Sequence, residues 1–511
     1  MFCSGFRHLE RAVCVVGLVA LVACSYATTT RVVTGTDGSA GTDGGGGGDG
    51  GMGGDAGSAA GGPPAGDAGA PAPDLGTPDV FGGCQHLACQ QTTCTKGGCR
   101  QMPCAPGQKT TVSGTVTDPA GKVPLYNVVV YVPNATLDPL VDGATCDRCQ
   151  VLIKNSVVST RTDAKGDFTL DDVPVGQNIP LVFQVGKWRR EVKIDNVVAC
   201  VNTAVADKDL TRLPRNQTEG HIPKIAVTTG GHDALECLLR KVGLEDSEFT
   251  PEAGAGRVNF FAGVQGTDRY ATTMNGGAMF TPVVPWWDSA DNLKKYDLVL
   301  HSCEGTEKPT NKGMAALEAM QAYANAGGRI FASHWHNYWL EHGPAPFPTI
   351  ATFNHQPALN EFVSDIDTAF PKGAALADWL VNVGAGATRA KLPINGTRHT
   401  VSSVNANVAQ RWIYSDTPQS VQYLTTNTPI GVPEAMQCGR VVFSDIHVSS
   451  GVVAGALGDR SLAGPGPAGQ NGFPFPTGCM TQDLSPQEKA LEFMLFDLSS
   501  CIERDNIPVV Q

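Results

Sequence analysis

Hydrophobic and polar residues follow different patterns in different parts of the chain. Between residues 110 and 213, short runs such as 111–116 and 168–170 alternate apolar with polar positions, and Pro, Gly and Asp separate them. Alternation with period two places one face of a strand in a core and the other in water. Regular short strands of this kind predict a β-sandwich over residues 110–213.

Beyond residue 221, strands that are apolar throughout alternate with helical periodicity. The predicted strands occupy residues 225–228, 296–300, 329–333 and 441–444, and the predicted helices occupy residues 234–242 and about 312–326. Strands that are apolar on both faces and separated by helices indicate a sheet covered on both sides. We therefore expect a three-layer α/β domain with a mostly parallel sheet over residues 221–511. A last helix should begin after Ser485, because Ser485, Pro486 and Glu488 have the spacing of a capping box.

The amino terminus has the pattern of an export signal. Arg7 and Arg11 precede an apolar run at residues 12–23 that is too short to cross a bilayer as a helix. The run ends in Leu21-Val22-Ala23-Cys24, which resembles the lipobox of bacterial lipoproteins, including those of the myxobacterial type. This resemblance implies a signal peptide at residues 1–23, acylation of Cys24, and, from Ser25, the outer membrane. The alternative is an ordinary cleaved signal in which Cys24 plays no part.

Residues 24–83 are predicted to form a disordered tether. Gly and Asp dominate this segment, which cannot bury enough apolar surface to order itself. A cysteine ladder with a strict five-residue period follows at residues 84–109, comprising Cys84, Cys89, Cys94, Cys99 and Cys104. Sixteen cysteines indicate an oxidising compartment, where disulfides are favoured over zinc. Because five is odd, at least one ladder cysteine should pair elsewhere, with Cys146, Cys149 or Cys200 as candidates.

Two family resemblances cover the folded parts. Gly114, Val116, Asp118, Gly121, Pro124 and Leu125, followed by Thr162, Asp163, Gly166, Phe168 and Pro174, resemble a carboxypeptidase regulatory-like domain. This implies a spacer or binding module without catalysis of its own. The order of strands ending in His334 and His447 is similar to the class I glutamine-amidotransferase-like fold, especially its trehalose-utilisation-like branch. The Gly-x-Cys-x-Gly elbow of true amidotransferases is absent, so glutamine hydrolysis by that route is not expected, and residues 344–436 do not match.

The predicted strand ends bring chemically useful side chains to one edge of the sheet. These are His232, Asp233, His301, Cys303, Glu304, His334, His336, Asp445 and His447. Imidazoles and carboxylates are ligands of divalent metals, and we expect His334, His336 and His447 as the metal ligands. His334 and His336 are two residues apart, so in an extended strand they would point the same way. The alternative is a set of hydrogen-bonded structural histidines.

Cys303 is a candidate nucleophile, with His334 or His447 as its base. The alternatives for this residue are a disulfide or an inert buried thiol. Trp335, Tyr338 and Trp339 crowd the histidines and would form a platform for a sugar or peptide if their faces are exposed. If they are buried, they fill the core.

Charge and composition exclude one class of partner. There are 37 Lys and Arg against 49 Asp and Glu, a net charge of −12, so the clustered cations that bind nucleic-acid phosphates are lacking. The sequence therefore predicts a cell-envelope lipoprotein, attached to the membrane by its lipid, with a binding or structural role. The alternative is a hydrolase or metal-dependent enzyme at the histidine cluster, with a divalent metal as its cofactor.

Overall fold

The computed structural model describes residues 103–153, 156–447 and 473–506. The expected signal peptide, Cys24, the tether and the first four ladder cysteines lie outside these ranges. The described residues belong to one compact unit, Pro71–Gln511. No helix in the described ranges has both the length and the apolar character needed to span a bilayer.

The first folded part consists of two small sheets, called here the amino-terminal sheets. Its elements are β1 (Thr111–Thr115), β2 (Val129–Pro133), α1 (Cys149–Leu152), β3 (Ser156–Arg161), β4 (Asp167–Leu170), β5 (Gly176–Val185), β6 (Trp188–Val197), β7 (Asn202–Val205) and α2 (Lys208–Thr211). One sheet has the order β4-β1-β7 and the other β3-β2-β5-β6. Phe168 of the first contacts Phe183 of the second, with ring centroids 6.0 Å apart, so the two sheets share buried residues. The predicted strands at 111–116 and 168–170 are confirmed.

The second part is built on one twelve-stranded sheet. Its first elements are β8 (Ile225–Thr228), α3 (Leu235–Lys241), β9 (Val258–Ala262), β10 (Thr281–Pro282), α4 (Val283–Trp287), α5 (Ala290–Leu293), β11 (Leu298–His301), α6 (Met314–Asn325), β12 (Arg329–Ser333) and α7 (Tyr338–Glu341). The rest are β13 (Ala351–Leu359), β14 (Phe362–Ile366), α8 (Pro371–Asn382), β15 (Lys391–Ile394), β16 (Thr397–Val404), β17 (Gln410–Asp416), β18 (Gln419–Thr428), β19 (Gly439–Ser444) and α9 (Pro486–Ser499). The strands run in the order β10-β9-β8-β11-β12-β19-β18-β17-β14-β15, and β13 and β16 form a branch beside β18.

The expectation of a mostly parallel sheet is correct for only half of this sheet. The first six strands in this order, from β10 through β12 to β19, are parallel to one another. The other six strands pair antiparallel, namely β13, β14, β15, β16, β17 and β18. The antiparallel strands come from residues 351–428, the stretch that matched no family pattern. A short turn joins the antiparallel neighbours β17 and β18, whereas α8 lies between the antiparallel neighbours β14 and β15.

Both faces of the parallel half are buried, as the apolar strands predict. In β11, Leu298 and Leu300 belong to one core, whereas Val299 between them belongs to the other. The first core also contains the apolar side chains of the amino-terminal sheets and of α9. The second core contains those of α4 and α6. Alternate residues of one strand therefore serve two separate cores.

The final helix begins as predicted and lies between the two parts. The Ser485 side chain accepts from the Glu488 backbone amide, the Glu488 carboxylate accepts from the Ser485 amide, and Pro486 occupies the first turn. Toward the amino-terminal sheets, Phe493 of this helix stacks on Tyr126 with ring centroids 5.6 Å apart. Phe496 likewise contacts Trp188 at 5.6 Å. The helix therefore bridges the amino-terminal sheets and the large sheet.

Disulfides reinforce this arrangement. Cys104 pairs with Cys200, which confirms that one ladder cysteine pairs outside the ladder. The remaining bonds join distant segments: Cys146 to Cys438, Cys149 to Cys501, and Cys237 to Cys479. The Cys146-x-x-Cys149 pair therefore holds two separate disulfides that tie the first part to the second. Cys303 is a free, buried thiol among the described cysteines.

Candidate functional site

The carboxyl ends of β8, β11, β12 and β19 meet at one edge of the sheet. In register, Thr228 lies opposite His301, His301 opposite Ala332, and Ser333 opposite Ser444. The residues that follow these strands therefore converge. The set formed by Asp233, Cys303, Ser333, His334 and His447 is called here the strand-end cluster.

Asp233 lies at the centre of the cluster and is buried. It accepts a hydrogen bond from the Ser333 hydroxyl. Its Oδ1 lies 3.1 Å from Nδ1 of His447, and its Oδ2 lies 3.2 Å from Nδ1 of His334. Burial alone would raise the pKa of Asp233, but His334 and His447 outweigh it and lower the pKa to about 2. The carboxylate is therefore ionised at neutral pH.

His334 occupies the turn that follows β12. Its backbone has φ of +45°, a left-handed conformation that a non-glycine residue adopts only when its surroundings enforce it. Its side chain is fully buried, and neither ring nitrogen has a hydrogen-bond partner within the described ranges. Burial lowers the pKa of His334 to about 3, against the opposing charge of Asp233, so the imidazole is neutral. Its ring centroid lies 3.9 Å from that of His447.

Cys303 presents its sulfur to the same centre. The backbone amides of Gly305 and Trp335 donate to Sγ, the first at 3.4 Å. Burial, followed by the charge of Asp233, strongly raises the pKa of the thiol. The donor atoms of Asp233, Cys303 and His334 all lie within 4.8 Å of one another. The sulfur is therefore hydrogen-bonded as an acceptor but held in its neutral form.

Gly230 allows the first and second strand ends to approach each other. A Cβ at this position would collide with the carbonyl oxygens of Ser302 and Cys303. The amide of His232 donates to the same Cys303 oxygen at 3.0 Å. Gly230 therefore permits the close packing of the loops that follow β8 and β11.

The expectation that His334 and His336 point the same way is wrong. The strand ends at Ser333, and both histidines lie in a 3₁₀ turn, His334–Asn337. His336 donates from Nε2 to the Ser302 carbonyl at 2.9 Å, because its Nδ1 accepts from Trp339 Nε1 at 3.0 Å. With both nitrogens engaged, His336 offers no free electron pair to a metal.

Other expected strand-end residues also have structural partners. His301 stacks on His336 with centroids 4.9 Å apart. Glu304 forms a buried ion pair with Lys312 at 2.6 Å. Asp445 accepts from the Thr400 amide at 2.7 Å. These residues support the loops without entering the strand-end cluster.

The predicted aromatic platform is only partly accessible. Trp339 is 1% exposed and hydrogen-bonded to His336, so it fills the core. Trp335 is half-buried, and the Arg398 guanidinium lies 3.8 Å from its ring centroid. Tyr338 is half-buried against His342, with ring centroids 4.5 Å apart. Trp335 and Tyr338 retain some exposed surface, and Trp339 does not.

Sequence reasoning missed the residues whose role depends on tertiary contacts. Ser333 ends an apolar strand, and nothing in its local sequence singles it out as a partner of Asp233. A second group of neighbouring side chains, Glu307, Glu341, His342 and His355, was missed for the same reason, because its members come from three separate segments. Of the four, only Glu341 and His342 are adjacent in the sequence.

Comparisons with known proteins add little to this geometry. No family model matches the chain, and no curated protein does. A solved structure of a ThuA-like protein from Bacteroides uniformis is 8% identical with a TM-score of 0.26, over 44% of this chain and 82% of that one. A cohesin–X-dockerin complex from Acetivibrio cellulolyticus is 16% identical with a TM-score of 0.14, over 29% of this chain and 78% of that one. Both likenesses are weak.

Proposed function

We propose that the strand-end cluster binds a divalent transition-metal ion through Asp233, Cys303 and His334. The observation that carries this proposal is the convergence of three buried donor groups. In the part of the chain that the structure describes, neither ring nitrogen of His334 has a hydrogen-bond partner. Carboxylate, thiolate and imidazole are together typical ligands of Zn²⁺. An unpaired buried imidazole is otherwise costly, by about 1–3 kcal/mol.

The charges at the cluster favour a cation. Asp233 is ionised, and the sulfur of Cys303 already accepts two backbone amides, an arrangement that suits a thiolate. What opposes the thiolate is burial together with the nearby carboxylate. A metal ion placed between them would offset both effects, because a coordinated thiol loses its proton outright.

The distances are compatible with a metal ion after small movements. Around a tetrahedral Zn²⁺, donor atoms lie about 3.4–3.7 Å apart, given bonds of about 2.0–2.3 Å. The three donors lie within 4.8 Å of one another, so shifts of about 1 Å would close the site. His447, whose side chain is 24% exposed, lies beside the centre and provides its contact with solvent. A fourth position on that side would remain available to water or substrate.

This centre fits a metal-dependent hydrolase at the cell envelope. We infer that Cys24 carries the lipid anchor in the outer membrane and that residues 24–83 space the folded unit from it. The amino-terminal sheets would be the carboxypeptidase regulatory-like module, and the large sheet a trehalose-utilisation-like α/β domain. Trp335 and Tyr338 beside the site favour a carbohydrate or peptide as the ligand.

Metal analysis of the purified full chain tests the proposal. One equivalent of metal should be bound at this site, and the Co²⁺-substituted protein should show a thiolate-to-metal charge-transfer band. Asp233→Asn, Cys303→Ser and His334→Ala should each weaken binding by at least about 100-fold, since even outer-shell changes cost 10–100-fold. His221→Ala, at a half-buried histidine that precedes β8 and pairs with Arg189 of β6, should leave the band unchanged. A folded protein without the band, or with the same band in Cys303→Ser, would refute the proposal.

A second candidate is metal-free acid–base catalysis by Asp233 and His447. It is favoured by the 3.1 Å contact between the ionised carboxylate and Nδ1 of the partly exposed imidazole, an arrangement that orients a histidine as a general base. Hydrolysis of chromogenic glycosides and esters in the presence of a chelator tests it. Activity that survives chelation and disappears in His447→Asn would support this candidate over the metal centre.

A further inference from the structure

We propose a second metal site, formed by Glu307, Glu341, His342 and His355, that fixes the edge strand β13 to the loops at the strand ends. These residues come from the loop after β11, the end of α7 and the middle of β13. None of them belongs to the strand-end cluster. The ligand class is a divalent transition-metal ion that accepts two carboxylates and two imidazoles, with Zn²⁺ as the best match.

The donor atoms are close enough to share one ion. One ligand atom each from Glu307, Glu341 and His342 lie within 4.8 Å of one another. Nε2 of His355 lies 2.7 Å from Oε2 of Glu341 and 3.8 Å from Oε1 of Glu307. Ligand atoms around a tetrahedral Zn²⁺ lie about 3.4 Å apart, a value between these two distances. The site therefore requires rotamer adjustments and no movement of the backbone elements.

A buried amide at the same place points to a ligand. Asn337 is fully buried, and its Nδ2 donates to Glu307 at 2.9 Å and to Glu341 at 2.6 Å. Its Oδ1 is buried without a hydrogen-bond partner among the described residues. The side-chain amide therefore takes the place between two carboxylates that a cation would fill. With a cation bound, the amide can rotate and offer its oxygen to the ion.

The charge balance of the site also favours a cation. Among the described residues, neither Glu307 nor Glu341 forms an ion pair with Lys or Arg, and the ion-pair partner of both is His355. The side chains of Glu307, Glu341 and His355 are 24%, 22% and 31% exposed, so an ion can enter from solvent. This openness distinguishes the site from the fully buried donors of the strand-end cluster.

Strand β13 shows what the ion would do. Among the described strands it pairs only with β16, its register shifts at three places, and most of its residues are exposed. His355 lies in its middle with φ of +42°. A metal–ligand bond at His355 would restrain the middle of a strand that has hydrogen bonds to a neighbouring strand on one side. Removing the metal should therefore loosen residues 351–359 more than the rest of the large sheet.

Titration of the full chain with Co²⁺ and Zn²⁺ tests this second site independently of the first. The N/O ligands here give Co²⁺ only weak visible bands, whereas Cys303 gives thiolate charge transfer. Glu341→Gln and His355→Ala should weaken one equivalent of Zn²⁺ binding by about 100-fold or more and leave the charge-transfer band unchanged. Glu318→Gln, at an exposed glutamate of α6, is the matched control and should retain both equivalents.

The outcomes separate the two proposals. Loss of one equivalent in Glu341→Gln, with faster amide exchange in residues 351–359, supports the second site. Unchanged metal binding in both Glu341→Gln and His355→Ala overturns it, as does a chain whose only bound metal shows the thiolate band. Binding of one equivalent without any thiolate band, removed by Glu341→Gln, supports this site and overturns the metal centre at Cys303.

Discussion

The contact between the amino-terminal sheets and α9 contains a pair of buried acids, Asp118 and Glu492. Asp118 Oδ1 accepts from the amides of Lys122 and Val123 at 2.7 and 3.0 Å. Burial raises the pKa of Asp118 to about 6, while these amides and Glu492 oppose the shift. Burial, followed by the charge of Asp118, raises the pKa of Glu492 well above its ordinary range. Protonated Glu492 can then donate to Asp118.

These shifts predict that the contribution of this acid pair to the free energy of unfolding falls as the pH rises. A carboxyl group with a raised native pKa binds a proton that the unfolded state has already released, so the free energy of unfolding falls with increasing pH. For Asp118 the decrease extends from about pH 4 to pH 6 and amounts to about 3 kcal/mol. Asp118→Asn keeps the acceptor for both amides and cannot ionise. We therefore expect this variant to be more stable than the wild type at pH 8 and little changed at pH 4.

Urea denaturation at pH 4, 6 and 8 measures this effect. Glu492→Gln should show the same trend, and the double variant should gain less than the two single gains combined, because the acids share a proton. Asp483→Asn, at an exposed acid nearby that pairs with Lys122, serves as the control and should change little at any pH. A stability difference between Asp118→Asn and wild type that is the same at pH 4 and pH 8 would refute this reasoning.

Two further predictions concern how the two parts of the molecule are joined. Trp379 is fully buried, donates to the Pro124 carbonyl at 2.6 Å and contacts Phe493, so Trp379→Ala should cost about 3–5 kcal/mol in urea denaturation, and Trp379→Phe less. A cost below about 1 kcal/mol would contradict this packing. Replacing both Cys149 and Cys501 by Ser should lower stability by about 2–5 kcal/mol under oxidising conditions. Equal free energies of unfolding in the wild type and in this double variant would contradict the prediction. They would show that the contact between the two folded parts does not depend on this disulfide.

Local sequence signals were sufficient for the regular elements. The strands at 225–228 and 329–333 were located to the residue, because an apolar run bounded by Gly or polar residues leaves few alternatives. The start of α9 was equally clear, since its capping box lies within four residues. In contrast, the antiparallel half of the large sheet was not foreseen, because its strands are partly exposed and lack that uniform apolar pattern.

The candidate site was only partly predictable for a related reason. The strand ends correctly indicated that Asp233, Cys303, His334 and His447 would come together, because parallel strands bring their carboxyl ends to one edge. The predicted orientation of His336 was wrong. The left-handed backbone at His334 ends the strand, so the alternation of side chains along an extended strand does not continue to His336. No local signal predicts that conformation, which depends on the surrounding tertiary contacts.

The strand-end cluster is held in place from both parts of the chain. Gln487, in the first turn of α9, donates to the His447 carbonyl at 2.6 Å. The same helix buries Phe493 and Phe496 against Tyr126 and Trp188 of the first folded part. Without the amino-terminal sheets Phe496 and the side of Phe493 that stacks on Tyr126 would lose these contacts, whereas Trp379 would still cover part of Phe493. The helix that positions His447 would then lose at most about 3–6 kcal/mol of burial. The first folded part therefore contributes to the geometry of the site although none of its residues enters the cluster.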